Sequence, residues 1–241
     1  MDTRELDILL QRCALQEPTI ARFLGVLPFD WFPSAALASA RSSCYFIINT
    51  DTSNEPGTHW LAIYFDTRLG QTEFFDSYGN SPTYYNLNST HFTSARTLAY
   101  NRHQLQSDTS FVCGQYCVYF LYSRIFAHTS HSIADFSNNL LLRFGSQQNT
   151  RDRFVSNYIN QLKCQLKQVP SFKYRPSAFQ SITPCSNQTT QSFGSFQFQN
   201  SYSVNSSNNT TFFQQSFNNR TDDSDELNSC FSLLQNSRSR M

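Results

Sequence analysis

Apolar positions recur at helical steps over residues 3–13, where Leu6, Leu9, Leu10 and Cys13 share one face after an Asp-Thr start, so the chain opens with an amphipathic helix. The proline-bounded segment 28–33 interrupts the pattern. Three short stretches rich in β-branched and aromatic residues follow at 44–49, 60–66 and 72–76, separated by turn-forming residues, and predict three strands paired in one sheet. Residues 81–101 are polar and Tyr-rich; we read them as one helix and then a short strand leading to Gln106. From Cys113 to about Ala127 the apolar density is too high for a surface helix, which places this segment in the core against the sheet. Ile133, Phe136, Leu140 and Leu141, then Phe154, Tyr158, Ile159 and Leu162, predict two packing helices over 132–144 and 150–166, each opened by a capping-type residue. The predicted class is α+β.

Composition divides the chain. The 241 residues, 39% of them hydrophobic, suffice for a core, but residues 176–219 contain no charge and consist mainly of Ser, Asn, Gln, Thr and Phe. We therefore expect one folded domain over 1–172 and a disordered low-complexity tail over 173–241. Sequons at Asn208 and Asn209 arise there from composition alone.

The net charge of +1 conceals an asymmetry: residues 1–89 carry five Arg against ten acids, and residues 90–175 carry ten Arg or Lys against three. One face of the second half would thereby attract a polyanion, unless the excess is merely a solvated surface. No apolar run reaches the roughly 18 residues of a membrane span and no signal-peptide pattern opens the chain, so neither a membrane partner nor secretion is expected. Seven Cys without framework spacing point to a reducing intracellular setting.

Cys113-Gly114 stands where an extended segment turns into the buried helix, and a thiol at a helix N-terminus is biased toward thiolate by unpaired N–H groups and the dipole. His59 begins the second predicted strand beside Trp60, and Asp76 ends the third. Thiol-based acyl transfer needs a thiolate, an imidazole, a group orienting the imidazole and donors to an oxyanion. Cys113, His59 and Asp76 fill the first three roles in the order His, Asp, Cys. Gln106, or Gln104, supplies a side-chain N–H beside the backbone N–H of Cys113 or Gly114; Gly114 admits a substrate backbone, and Trp60 shields the imidazole. Each residue alone has a plain structural explanation: a buried Cys is a small hydrophobe, and a strand-end Asp caps a turn. His128 and His131 flank a helix boundary, and no metal site is expected from them.

Gly57-Thr-His59-Trp60, Phe75-Asp76-Ser-Tyr-Gly79, and Gln106 followed by Cys113-Gly114-Gln-Tyr-Cys117 together resemble the adenovirus maturation protease, adenain, and its relatives in Maverick/Polinton virus-like elements, within the wider group that includes the SUMO-deconjugating proteases. The resemblance spans residues 1–172. It implies a circularly permuted papain-like fold, with a central mixed β-sheet packed on the buried Cys-bearing helix. It further implies a monomeric endopeptidase, needing no cofactor, that hydrolyses capsid precursor proteins through a thioester after small residues such as Gly. Such an enzyme would work in the host nucleus or cytoplasm or packaged in the virion.

Asp76 stands where adenovirus enzymes have Glu, as in the SUMO proteases, which keeps a ubiquitin-like-modifier isopeptidase open as an alternative. A non-catalytic binding module is a further alternative. The family also implies activation by DNA and by a disulfide-linked peptide. The chain has no Cys between Cys44 and Cys113 to carry that link; Cys230-Phe231 matches only two residues of the activating peptide's end.

Overall fold

A computed structural model of the chain describes residues 1–16, 20–92, 95–127 and 130–167. The expected tail, its sequons, Cys230-Phe231 and His128 lie outside the described residues.

The opening helix α1 (Thr3–Gln16) is capped reciprocally: the Asp2 carboxylate accepts from the Glu5 N–H at 2.8 Å, and the Glu5 carboxylate from the Asp2 N–H at 3.3 Å. Its buried stripe is Leu6, Leu9, Leu10 and Cys13, the face expected from the spacing. The sheet has five strands, β1 (Arg22–Leu27), β2 (Cys44–Asn49), β3 (Trp60–Asp66), β4 (Gln71–Phe75) and β5 (Thr97–Tyr100), in spatial order 1-2-3-4-5. The expected trio forms the antiparallel centre, and β1 and β5 each join an edge in parallel. The sheet is therefore mixed.

Every residue of β2 and β3 is buried, because both faces of the sheet are covered. A parallel edge strand needs a crossover, and the sequence between β4 and β5 provides one without the helix we expected. Pro82–Tyr85 makes only a 3-10 turn, ended by Asn86 in the left-handed conformation. With the short helix α2 (Ser34–Ala38), this region covers one face, Leu37, Leu87 and Phe92 joining Phe46 and Phe74 of the sheet in one cluster. The other face carries α1 and three later helices, α3 (Cys113–Leu121), α4 (Ile133–Phe144) and α5 (Gln148–Leu166).

α3 is shorter than its apolar run suggested, since Tyr122–Phe126 continue it as a π-helical turn in which the Ala127 N–H reaches the Tyr122 carbonyl at 2.9 Å. α4 starts at the capping residue Ser132, whose Oγ accepts from the Asp135 N–H at 3.1 Å. On α5 the inward face is Arg151, Val155, Ile159, Leu162 and Leu166. Arg151 is 1% exposed and donates from Nε to the Leu105 carbonyl at 2.9 Å and from its other nitrogens to the carbonyls of Gly145 and Gln104. Next to it, Asp152 accepts from the Ser107 N–H at 3.1 Å and the Tyr116 hydroxyl at 2.9 Å. These two charged residues tie α5 to the stretch just before α3.

The basic excess of the second half is partly internal. Arg151 is buried, Arg124 pairs with buried Glu73 at 2.9 Å and Lys163 faces Glu5 at 3.6 Å, so fewer positive charges reach the surface than the sequence count suggests.

Candidate active site

The antiparallel pairing of β3 and β4 places the residue before Trp60 and the residue after Phe75 at the same end of the sheet, Ala62 being opposite Phe75. Those residues are His59 and Asp76. Their side chains meet with Nε2 donating to Oδ1 at 2.7 Å. α3 packs on β3 at this end, and the Cys117 thiol donates to the Trp60 carbonyl at 3.2 Å, which seats the helix one turn below Cys113. The His59 ring and the backbone N–H groups of Trp60 and Gly114 lie close enough to the Cys113 sulfur to favour its thiolate. No side chain caps the N-terminus of α3, which leaves its first amides, Gly114 among them, open to the sulfur.

Asp76 is fully buried and saturated with donors. Besides His59, Oδ1 accepts from the Tyr78 N–H at 3.0 Å; Oδ2 accepts from the Asn80 N–H at 3.0 Å and the Tyr85 hydroxyl at 2.9 Å. Asn101, at the end of β5, grips the backbone of Asp76: its Oδ1 accepts from the Asp76 N–H at 3.0 Å and its Nδ2 donates to the Asp76 carbonyl. The His59 ring lies between Tyr78, 5.0 Å away, and Tyr85, 6.2 Å away and nearly parallel. The turn after Asp76 requires a glycine. Gly79 has φ +76°, and a Cβ there would come within 2.7 Å of the His103 backbone.

Electrostatics separate Cys113 from the other buried thiols. Burial pushes Cys13 up to about 12 and Cys44 to about 11, and lifts Cys117 well above the ordinary thiol value. Burial opposes the Cys113 thiolate too, but the hydrogen bond and charge of His59 and the two backbone N–H groups outweigh it, and the thiol lies below its ordinary value. Burial likewise disfavours charged His59, yet bonds and charges from Asp76 and Cys113 raise it to about 9. For Asp76 the burial penalty is overcome chiefly by His59, and its carboxyl sits below the usual value. The set favours a thiolate–imidazolium pair oriented by a carboxylate, an arrangement able to attack an acyl carbon and protonate its leaving group.

Gln106 lies beside this cluster, 1% exposed and fully engaged. Its Oε1 accepts from the Ser77 hydroxyl at 2.8 Å, and its Nε2 donates to the Ser110 carbonyl at 2.8 Å and the Tyr78 hydroxyl at 3.3 Å. Gln104 points elsewhere, donating to Asp108 at 2.6 Å. Gly114 is buried, and a Cβ on it would lie 3.3 Å from Leu6 and from Trp60. The missing side chain thus makes room for core packing at this position. Trp60, 9% exposed, belongs to that same core.

Tyr78, Asn80, Tyr85 and Asn101 had no role assigned from the sequence, where Tyr78 stood only inside the Phe75–Gly79 motif. The polar turn Ser-Tyr-Gly-Asn directly after Asp76 hinted at the first two. Tyr85 and Asn101 come close only through the fold of 81–101. Among the described residues no cluster of His, Cys, Asp or Glu is arranged to hold a metal ion, and no helix is long and apolar enough to cross a membrane. The five described cysteines are free thiols.

No family model matches the chain. Among curated proteins it is 37% identical over 93 residues to the cysteine protease S273R of African swine fever virus, a match covering 33% of this chain and 33% of the relative. It is 34% identical over 84 residues to the putative thiol protease R355 of Acanthamoeba polyphaga mimivirus, covering 31% and 28%. Among solved structures, ChlaDub1 of Chlamydia trachomatis aligns with a TM-score of 0.49 at 10% identity, over 73% of this chain and 97% of that one. The African swine fever virus pS273R protease aligns with a TM-score of 0.36 at 18% identity, over 51% and 56%. The chain spans about a third of the length of the curated relatives it matches. Over that third, it is related in sequence to proteins named as viral cysteine and thiol proteases.

Proposed function

We propose that the chain is a cysteine endopeptidase of a virus or virus-like element, with a permuted papain-like arrangement, cleaving precursor polypeptides after small residues. Cys113 is the nucleophile, His59 the base and then the acid, and Asp76 the group that orients His59. Gln106 serves the oxyanion, together with the backbone N–H at the start of α3. The observation that carries this reading is one imidazole, held by a buried carboxylate at 2.7 Å, that draws down the Cys113 thiol, whereas burial raises Cys13, Cys44 and Cys117.

In the reaction the thiolate attacks the scissile carbonyl, the carbonyl π pair moves to oxygen, and collapse of the adduct expels the amine, which takes its proton from His59. A thioester remains, and water activated by neutral His59 hydrolyses it. The test is incubation of the full chain with capsid-precursor peptides containing Gly-Gly and, in parallel, with ubiquitin and SUMO fluorophore conjugates. Peptide cleavage that disappears in Cys113→Ala supports the reading. Turnover confined to the modifier conjugates assigns the chain to the isopeptidases instead.

A further inference from the structure

Among the described residues Asp76 accepts from four donors: the His59 ring, the N–H groups of Tyr78 and Asn80, and the Tyr85 hydroxyl. The last differs from the rest. It is a neutral side chain, and its bond of 2.9 Å goes to Oδ2, the oxygen opposite the one that holds the imidazole. The phenol oxygen itself accepts from Nδ2 of Asn80 at 3.3 Å, and a phenol that accepts from an amide is polarised into a stronger donor.

The sheet fixes where Tyr85 stands. The turn that carries it is closed by the Leu87 N–H on the Pro82 carbonyl at 3.0 Å, and Leu87 is buried in one cluster with Phe46 and Phe74. The Tyr85 ring lies 6.2 Å from that of His59 and nearly parallel to it, with Tyr84 packed edgewise at 4.9 Å. Burial first, and then the charge of Asp76, raise its pKa, so the phenol keeps its proton and remains a donor. The other titratable groups that act on the pair of Asp76 and His59 are Cys113 and Cys117 of α3 and Tyr78, which Asp108 and Asp152 face in turn. Tyr85 alone among the neighbours of the pair bonds the carboxylate through its side chain.

A carboxylate shares one charge between two oxygens, so a donor on Oδ2 leaves less of it on Oδ1. We propose that Tyr85 is a positioning residue that acts on His59 through Asp76: its hydroxyl draws charge to Oδ2, so that Oδ1 orients the imidazole without holding its proton too firmly for the ring to serve as a base. The inference rests on the reading of Cys113 as the nucleophile and His59 as its partner. The step that feels Tyr85 is hydrolysis of the thioester. Water adds to the acyl carbon as neutral His59 takes a proton from it, the C–S bond breaks with its pair returning to sulfur, and the carboxylic acid leaves. The earlier attack by thiolate starts from the imidazolium, which a firmer hold favours.

On the full chain, p-nitrophenyl acetate reads the two steps apart. The burst of p-nitrophenolate is acylation of Cys113 and the steady release is deacylation, each with the rate of Cys113→Ala subtracted. The steady rate of the wild type rises with pH as His59 of the acyl-enzyme loses its proton. Tyr85→Phe keeps the ring and loses the donor. Its burst is expected to persist, while the rise in its steady rate moves to higher pH. Below that rise deacylation is expected to fall by about three- to tenfold, part of what a hydrogen bond to a charged group is worth. Alkylation of Cys113 by iodoacetamide at mildly acidic pH stays as fast as in the wild type, which shows that the site is assembled.

A rise at the wild-type pH, or one displaced downward, overturns the proposal, as does an equal loss at every pH, the mark of a structural role. Should alkylation fall as well, Asn80→Ala decides, since it removes a donor to the phenol but leaves the ring and its bond to Asp76. A small upward displacement is then expected, and its absence overturns the proposal. A wild-type chain that shows no burst, and whose Cys113 alkylates no faster than an ordinary thiol, refutes the nucleophile itself, a different failure.

Discussion

Asp76 holds His59 by a 2.7 Å bond from Nε2 to Oδ1, which leaves Nδ1 free of the carboxylate while Cys113 also acts on the ring. The carboxylate therefore sets both the ring's orientation and its tautomer. Asp76→Asn keeps the shape but offers an amide, and turnover of any cleaved peptide should fall by about 10³- to 10⁴-fold, as in triads whose acid is neutralised. Cys113→Ala and His59→Ala should abolish cleavage while far-UV circular dichroism stays unchanged. A fully active His59→Ala enzyme would refute the assignment.

The pH dependence follows from the two shifts. Cleavage needs thiolate, present above the lowered Cys113 value, and protonated His59, present below about 9, so the rate should form a plateau that falls on its alkaline side near 9. The same shift acts on stability. His59 titrates near 9 in the fold against 6.5 when unperturbed, so its contribution is complete below 6.5 and is lost as pH rises through 9. The melting-temperature advantage of the wild type over His59→Ala should shrink across that window.

Gly79→Ala tests the turn that positions the acid. The new Cβ would meet the backbone of His103 at 2.7 Å, in a conformation that alanine adopts with strain. Backbone cannot rotate aside as a side chain does, so the cost should be about 1–3 kcal/mol or more, read by urea unfolding, with cleavage falling further than stability.

Much of this site is legible in the sequence because its three reacting groups sit at element boundaries. His59 and Asp76 flank strands whose apolar runs are unmistakable, and Cys113 opens a helix too apolar for a surface. The amphipathic stripes of α1, α4 and α5 are local signals too. The edge strands are a different matter. β1 and β5 pair in parallel with their neighbours β2 and β4 through crossovers that no local pattern marks, and β5, only four residues long, is largely exposed. The 81–101 segment takes its shape from burial of Leu87 and Phe92 against the sheet, which no periodicity announces. Arg151 and Asp152 were legible only in retrospect: two charges where the apolar stripe of α5 runs inward.

Glu73 and Arg124 form a largely buried pair at 2.9 Å. Burial raises the Glu73 carboxyl above its usual value in spite of Arg124, so desolvation outweighs what the partner returns. Arg124→Met should destabilise by about 3–5 kcal/mol, because it strands a buried acid, whereas Glu73→Gln with Arg124→Met together should recover much of that loss. Chemical denaturation of the wild type and these two variants checks the ordering.

Asp152 accepts from Ser107 and Tyr116, fastening the segment that carries Gln106. Asp152→Ala leaves the Ser107 N–H unmet at about 1–3 kcal/mol, while the Tyr116 hydroxyl falls back on the Leu105 carbonyl at 3.1 Å. Thermal unfolding should show the loss, and acylation of Cys113 should slow while its alkylation holds.

The grip of Arg151 on the carbonyls of Leu105, Gln104 and Gly145 makes the final helix an accessory of the chemistry, although no atom of it is known to meet a substrate. A protease or a truncation that removes residues 148–166 would therefore silence the thiol without touching it. Regulation from outside has a handle here: any binder that tugs on that helix would loosen the loop ahead of Cys113.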